Sequence, residues 1–181
     1  MVIRPLSASE IVEARLVFDT SLDYTHAFVA ENARWPDWVD HIGASVQKRI
    51  RPPDEHNAVT VGQTSYFPVA LDTSAESVAA GKLRDMAWLI HELTHQLQYR
   101  RMGWVYLGQA LAVQVRLGRQ AYDYQGGYPT PEAALVAAHS EGRQLAQFNL
   151  EQQGDLARDY YYRLKAGLNC APWEPFVHEL R

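Results

Sequence analysis

Cysteine is nearly absent: Cys170 stands alone among 181 residues. No disulfide can form within the chain, and a cysteine-based zinc site is excluded. Long apolar runs are missing too. None approaches the ~20 residues that cross a bilayer, so membrane insertion is not expected. The N-terminal stretch "MVIRPLSASE" lacks the apolar core of a secretory signal. The expected location is cytoplasmic as synthesised, with any export passing through a dedicated injection machine. Neither sign of charge dominates, with 17 Lys and Arg against 21 Asp and Glu. Nucleic acid, which calls for clustered Lys and Arg, is therefore not an expected partner. The one basic patch, Lys48 to Pro53, reads as a solvated turn. Repeats, low-complexity segments and linkers are absent, which favours a single domain over residues 1–181.

What is present is ordinary globular composition, 47% apolar and 21% charged, with clear punctuation. Ser7 with Glu10 forms a capping box, and Leu6 and Ile11 are spaced as a hydrophobic staple. Asp23 to Glu31 reads as one strand, and Trp35 to Trp38 as a loop or short turn of helix. Ala58 to Pro68, rich in β-branched and aromatic residues, reads as a single strand compatible with a sheet edge, with Gly62 marking a bulge or bend. Ser74 is placed to cap a helix that continues to about Met102, where Gly103 stops it and Arg100 and Arg101 suit its negative end. A second helix is expected over Trp104 to Leu117, then a glycine- and proline-rich loop. Thr130 with Pro131 opens another helix, and Asn149 with Gln152 opens the last, closed by Gly167. The order of elements gives an α+β fold: a small sheet followed by a helical region.

The chemistry concentrates in "LIHELTHQLQ", Leu89 to Gln98. His91 and His95 are one helical turn apart and share a face. Leu83, Met86, Ala87, Ile90, Leu93, Thr94 and Leu97 follow the periodicity of a buried face, so the two imidazoles border the core beside Trp88 and Gln98. Two neutral imidazoles at this spacing can reach one Zn²⁺. Glu92, one residue on, leans to the side of the metal. There it can take a proton from a zinc-activated water without entering the coordination shell.

A catalytic zinc of this type takes a third protein ligand and keeps an open position. Glu132, His139, Glu141, Glu151, Asp155 and His178 are the downstream candidates. Glu151 is favoured because Asp155 follows one turn later and can hydrogen-bond the distal nitrogen of a ligand histidine. Glu141 is the competitor on pattern alone.

"HELTH" with a downstream "ExxxD" resembles the gluzincin metallopeptidases, of which thermolysin is the familiar example. A closer likeness rests on five segments in order: "RPLSASEIVEARLVFDTSLDY", "AVTVGQTSYFP", "LIHELTHQLQYRRMG", "AYDY" and "EQQGDLARDYY". Together they resemble the small zincin-like Vgr-related proteins, relatives of the metallopeptidase domain associated with contractile injection systems. The likeness spans roughly Arg4 to Tyr162, leaving residues 163–181 as a C-terminal extension. It implies a zincin-like domain with His91, His95 and Glu151 as zinc ligands and Glu92 as general base. It also implies a link to type VI secretion or a related machine, as effector, cargo or processing enzyme. Two residues depart from the pattern: Gln96 is polar where the family tends to be apolar, and Gly154 stands where the family tends to carry Ala.

A hydrolysed carbonyl also needs a partner for its developing oxyanion. Tyr122 and Tyr124 of "AYDY" are the candidates; Tyr160, Tyr161 and Tyr162 read as packing residues. The expected function is a zinc-dependent metallopeptidase acting on a peptide or protein substrate. The alternative is a zinc-stabilised adaptor that binds components of a secretion apparatus, and a third reading is a toxin that cuts a non-protein amide or ester. Glu92 discriminates between enzyme and adaptor, since a purely structural site has no use for a general base.

Overall fold

Ser7 starts the first helix as its spacing predicts. In this computed structural model, which describes residues 1–33, 58–103 and 122–181, its hydroxyl accepts from the Glu10 N–H at 3.2 Å. Glu10 returns the bond to the Ser7 N–H at 2.7 Å. The resulting helix α1 spans Ala8–Phe18. The loop at Trp35 to Trp38, the basic patch Lys48 to Pro53 and the helix expected over Trp104 to Leu117 all lie outside the described residues.

Four short strands form one sheet among the described residues: β1 (Val2–Pro5), β2 (Phe28–Glu31), β3 (Val59–Val61) and β4 (Thr64–Tyr66), in the order β1-β2-β4-β3. β1 and β2 are antiparallel, β2 and β4 parallel, β3 and β4 antiparallel. Two expectations change here, and one strand is new. The strand expected over Asp23 to Glu31 is only β2. The Asp23 carboxylate bonds Thr25 Oγ1 at 2.7 Å and His26 Nδ1 at 3.0 Å, which folds the preceding residues into a turn. The strand expected over Ala58 to Pro68 is a hairpin, because Gly62 takes φ 65° and reverses the chain. Its first strand, β3, is at the sheet edge, whereas β4 is interior. β1 itself was not foreseen; four residues containing a proline carry too little pattern.

The helix expected from Ser74 to Met102 is two helices, α2 (Ala75–Ala79) and α3 (Arg84–Met102). Ser74 does cap α2. Gly81, at φ 79°, then ends it: Lys82 N–H bonds Ser77 C=O at 2.9 Å and Gly81 N–H bonds Val78 C=O at 3.0 Å. That reciprocal pair satisfies the last carbonyls and turns the chain out of the helix. Gly103, at φ 63°, stops α3 as expected. Beyond it come α4 (Pro131–Ser140), capped by Thr130, α5 (Leu150–Lys165), capped by Asn149 with Gln152, and the short α6 (Glu174–Val177). Gly167 follows the α5 cap at φ 67°. The chain is thus mixed α and β, a small sheet with six α-helices among the described residues.

Helix α3 lies between the sheet and α5, and every residue from Leu89 to Gln98 is buried. Met86, Leu89, Ile90 and Leu93 are fully enclosed with Phe18, Phe67 and Leu156. Each such side chain contributes about 1.5–3 kcal/mol through burial. Trp173, Phe176 and Val177 of the C-terminal segment belong to the same core. Gln96 shows why a polar residue is tolerated next to His95. Its Nε2 donates to Phe28 C=O at 3.0 Å and to Ser65 Oγ at 2.8 Å, tying α3 to β2 and β4. Among the described residues no helix is long and apolar enough to cross a membrane.

Candidate metal centre

Two helices meet to form the site. On α3, one turn separates His91 from His95, and their rings meet edge to face with centroids 4.8 Å apart. On α5, the Asn149 cap puts Glu151 in the first turn, where the helix's positive end favours a carboxylate. The two Nε2 atoms are 3.1 Å apart. Glu151 Oε2 is 3.4 Å from His91 Nε2 and 3.3 Å from His95 Nε2. Three ligand atoms tetrahedrally arranged about a zinc at about 2.0–2.1 Å stand about 3.3–3.4 Å from one another. The two edges to Glu151 match that triangle, and the edge between the imidazoles, at 3.1 Å, is slightly shorter. All three residues are buried, and together they can hold a metal ion.

Electrostatics favour a cation here. Burial by itself pushes the His91 imidazole toward neutrality, but the Asp155 and Glu151 carboxylates outweigh it and raise the ring's pKa to about 10. His95 is raised as well: burial opposes, and Glu151 prevails. Burial would raise the Glu151 carboxyl, yet the two imidazoles hold it far below the usual carboxylate range. Protons and metal ions compete for the same three atoms.

The surroundings of the two imidazoles differ. His95 Nδ1 is 2.8 Å from Gln98 Oε1. His91 Nδ1 is 2.9 Å from Asp155 Oδ1, but that oxygen stands off the line of the ring N–H, so Nδ1 has no well-aligned hydrogen bond. The same Oδ1 also accepts from Arg158 Nη1. The contact between His91 and Asp155 is therefore chiefly electrostatic. The His91 ring lies flat against α5 at Gly154, where an added β-carbon would stand 2.7 Å from Cε1 and 2.9 Å from Nδ1. Glycine at position 154 thus makes room for the His91 ring.

Glu92 is buried but outside the ligand group. Thr60 on β3 donates to its Oε2 at 2.7 Å, and Thr60 Oγ1 is 2.8 Å from Ser65 Oγ. The edge strand thus orients this carboxylate. Of the other sequence candidates, Tyr122 lies beside His91, with ring centroids 6.2 Å apart. Tyr124 is engaged elsewhere: its hydroxyl donates to Asp159 Oδ2 at 2.6 Å and accepts from Trp173 Nε1 at 3.2 Å. Burial, reinforced by Asp159, pushes its phenol well above the usual range. Glu141 is exposed at the end of α4, and His139, also exposed, meets the Phe176 ring edge-on. Neither belongs to the metal-binding group. Sequence reasoning assigned no role to Thr60, Gln98, Gln153 or Gly154. Gln98 carries a signal through its spacing on the stripe of the two histidines, and Gly154 through its place inside a helical pattern.

No family model, no curated protein and no solved structure matches this chain.

Proposed function

We propose that this protein is a zinc-dependent metallopeptidase. The observation that carries the reading is the triangle of His91 Nε2, His95 Nε2 and Glu151 Oε2, whose edges of 3.1, 3.4 and 3.3 Å suit one tetrahedral ion. Two imidazoles and a carboxylate are a donor set for zinc, and three ligands leave a fourth position for water or substrate. When bound, zinc supplies the Lewis acidity that brings a water molecule's pKa near neutrality and polarises an acyl carbonyl.

The chain's own residues do the rest. Glu92, adjacent to a ligand yet not one, accepts the water's proton and can pass it to the leaving amine. Thr60 fixes one oxygen of that carboxylate. Asp155 balances the charge on His91 through its contact with Nδ1. Tyr122, beside His91, is the better placed of the two tyrosines to meet a developing oxyanion, because the Tyr124 proton is directed to Asp159. The likeness of five segments to Vgr-related proteins supports a link with a contractile injection system. The substrate is then a peptide or protein, met in the cytoplasm or after injection.

The near-complete burial of all three ligands favours a second reading, in which zinc only holds α3 to α5 and the protein serves as an adaptor for secretion-apparatus components. Glu92→Gln separates the two. A peptidase should keep its zinc and lose about 10²–10⁴-fold in rate. An adaptor should keep both zinc and partner binding, whereas His91→Ala should lose them. Zinc-loaded Glu92→Gln protein that cleaves as fast as wild type would rule out the peptidase reading.

A further inference from the structure

The polarity of a buried amide chain can be read from its backbone end, because a carbonyl oxygen only accepts. Gln153 Nε2 faces two such oxygens, Phe148 C=O at 2.9 Å and Leu145 C=O at 3.3 Å. Both of its N–H bonds are used there, so its Oε1 points the other way. Gln98 Nε2 meets that oxygen at 2.9 Å and also faces Leu150 C=O at 3.1 Å. Both N–H bonds of Gln98 are then spent, and its Oε1 is the atom turned to His95 Nδ1, 2.8 Å away. An amide oxygen at that distance is an acceptor, so Nδ1 must carry the proton. A neutral imidazole protonated at Nδ1 has its lone pair on Nε2, the atom of His95 that faces His91 and Glu151.

We propose that Gln98 and Gln153 are positioning residues, forming an amide relay from three backbone carbonyls that fixes the tautomer of His95 and presents its Nε2 lone pair to the metal. This rests on the metal-site reading above and extends it to the half of the site that Asp155 does not reach. The relay also sets helix against helix. Gln98 is three residues after His95 on α3, and Gln153 is two after Glu151 on α5, so the chain of bonds crosses the helix interface beside the ligands. His91 lacks an equivalent; its Nδ1 has a nearby carboxylate but no aligned hydrogen bond.

The test is zinc affinity of the full-length chain, measured by competition with a chelator, together with the ¹⁵N spectrum of the zinc-loaded histidines. Gln98→Met keeps side-chain length and removes the acceptor. It should weaken zinc binding by about 10–100-fold, as loss of a group supporting a ligand histidine does. Gln98→Glu keeps an acceptor for Nδ1 but turns an oxygen on Leu150 C=O and on Gln153 Oε1. It should lose thermal stability while holding zinc nearly as wild type, with the His95 Nδ1 resonance still that of a protonated nitrogen. Wild-type affinity in Gln98→Met, or an equal loss in both variants, would overturn the relay. Should Gln98→Met fail to fold, Gln153→Leu takes its place: a measurable loss of affinity supports the relay, and unchanged affinity with an unchanged His95 spectrum overturns it. Wild-type protein that binds no zinc is a separate result, which overturns the metal-site reading and the relay with it.

Discussion

Two buried carboxylates on two helices invite comparison. Glu10, on α1, is fully enclosed and surrounded by donors: Arg4 Nη1 at 2.8 Å and Nη2 at 2.9 Å, the Ser7 N–H at 2.7 Å and Thr73 Oγ1 at 2.6 Å. Glu151, on α5, is nearly as buried but faces the Nε2 atoms of two imidazoles. At the first site donors and acceptors balance, and the cluster is complete as a structural joint between β1, α1 and the segment before α2. At the second, two imidazole nitrogens and a carboxylate oxygen converge within 3.4 Å of one another, a set that can bind protons or share one metal ion. Convergence of acceptors costs free energy unless a cation joins them. A buried polar cluster with balanced partners holds a fold together, whereas the second cluster can also hold a metal ion.

The sharpest way to break the comparison is to remove each carboxylate. Glu10→Ala removes the bidentate partner of Arg4 and leaves the guanidinium, in a partly buried position, with Glu31 alone, 2.9 Å from Nη2. It should destabilise the fold by less than the about 3–5 kcal/mol of a fully buried broken pair, since Arg4 is partly exposed and keeps Glu31. Zinc affinity of the folded fraction should not change. Glu151→Ala should do the reverse, abolishing stoichiometric zinc while costing the metal-free fold less than Glu10→Ala. Chemical denaturation and chelator competition on both variants check this; a stability loss from Glu151→Ala as large as that from Glu10→Ala would make the two sites alike.

Smaller effects sharpen the second site. Asp155→Ala should weaken zinc by about 10–100-fold without abolishing it. Unchanged affinity would show that the contact to His91, which is not well aligned, contributes nothing. Gly154→Ala removes a helical glycine and by propensity alone should stabilise α5 by up to about 1 kcal/mol. The added β-carbon, 2.7 Å from His91 Cε1, should instead push the ring aside. Lower zinc affinity without the expected gain in metal-free stability is the predicted pattern, and a simple gain in both would contradict it.

The smallest effect concerns acid. Burial would raise the Glu10 carboxyl, but Arg4, Thr73 and the Ser7 N–H together hold it below the usual carboxylate range. Its folded pKa is thus depressed, so its stabilising contribution is present above about pH 4.5 and is lost as the pH falls through the lower folded value. Denaturation between pH 6 and 3 should show a slope that Glu10→Gln flattens.

Much of the site was legible in the sequence because helix geometry is local. The spacing of His91 and His95 and the capping boxes at Ser7 and Asn149 follow from residues a few positions apart. The sheet was harder. Gly62 reads equally as a bulge or a turn until its strand partners are known, and Gly81 inside a helical pattern gives no sign of whether it ends the helix. The support around the ligands was least legible. Gln98 and Gln153 are 55 residues apart, and Thr60 is 32 from Glu92. Only the packing of α3 against β3 and α5 brings them together.

A single metal ion held by His91, His95 and Glu151 can be counted directly. Purified wild-type chain, loaded with zinc and freed of excess, should contain one ion per chain by elemental analysis. X-ray absorption should show two imidazole nitrogens and carboxylate oxygen at about 2.0–2.2 Å. His91→Ala and Glu151→Ala, handled identically, should contain none. Wild type without zinc, or full stoichiometry in both variants, would contradict the account.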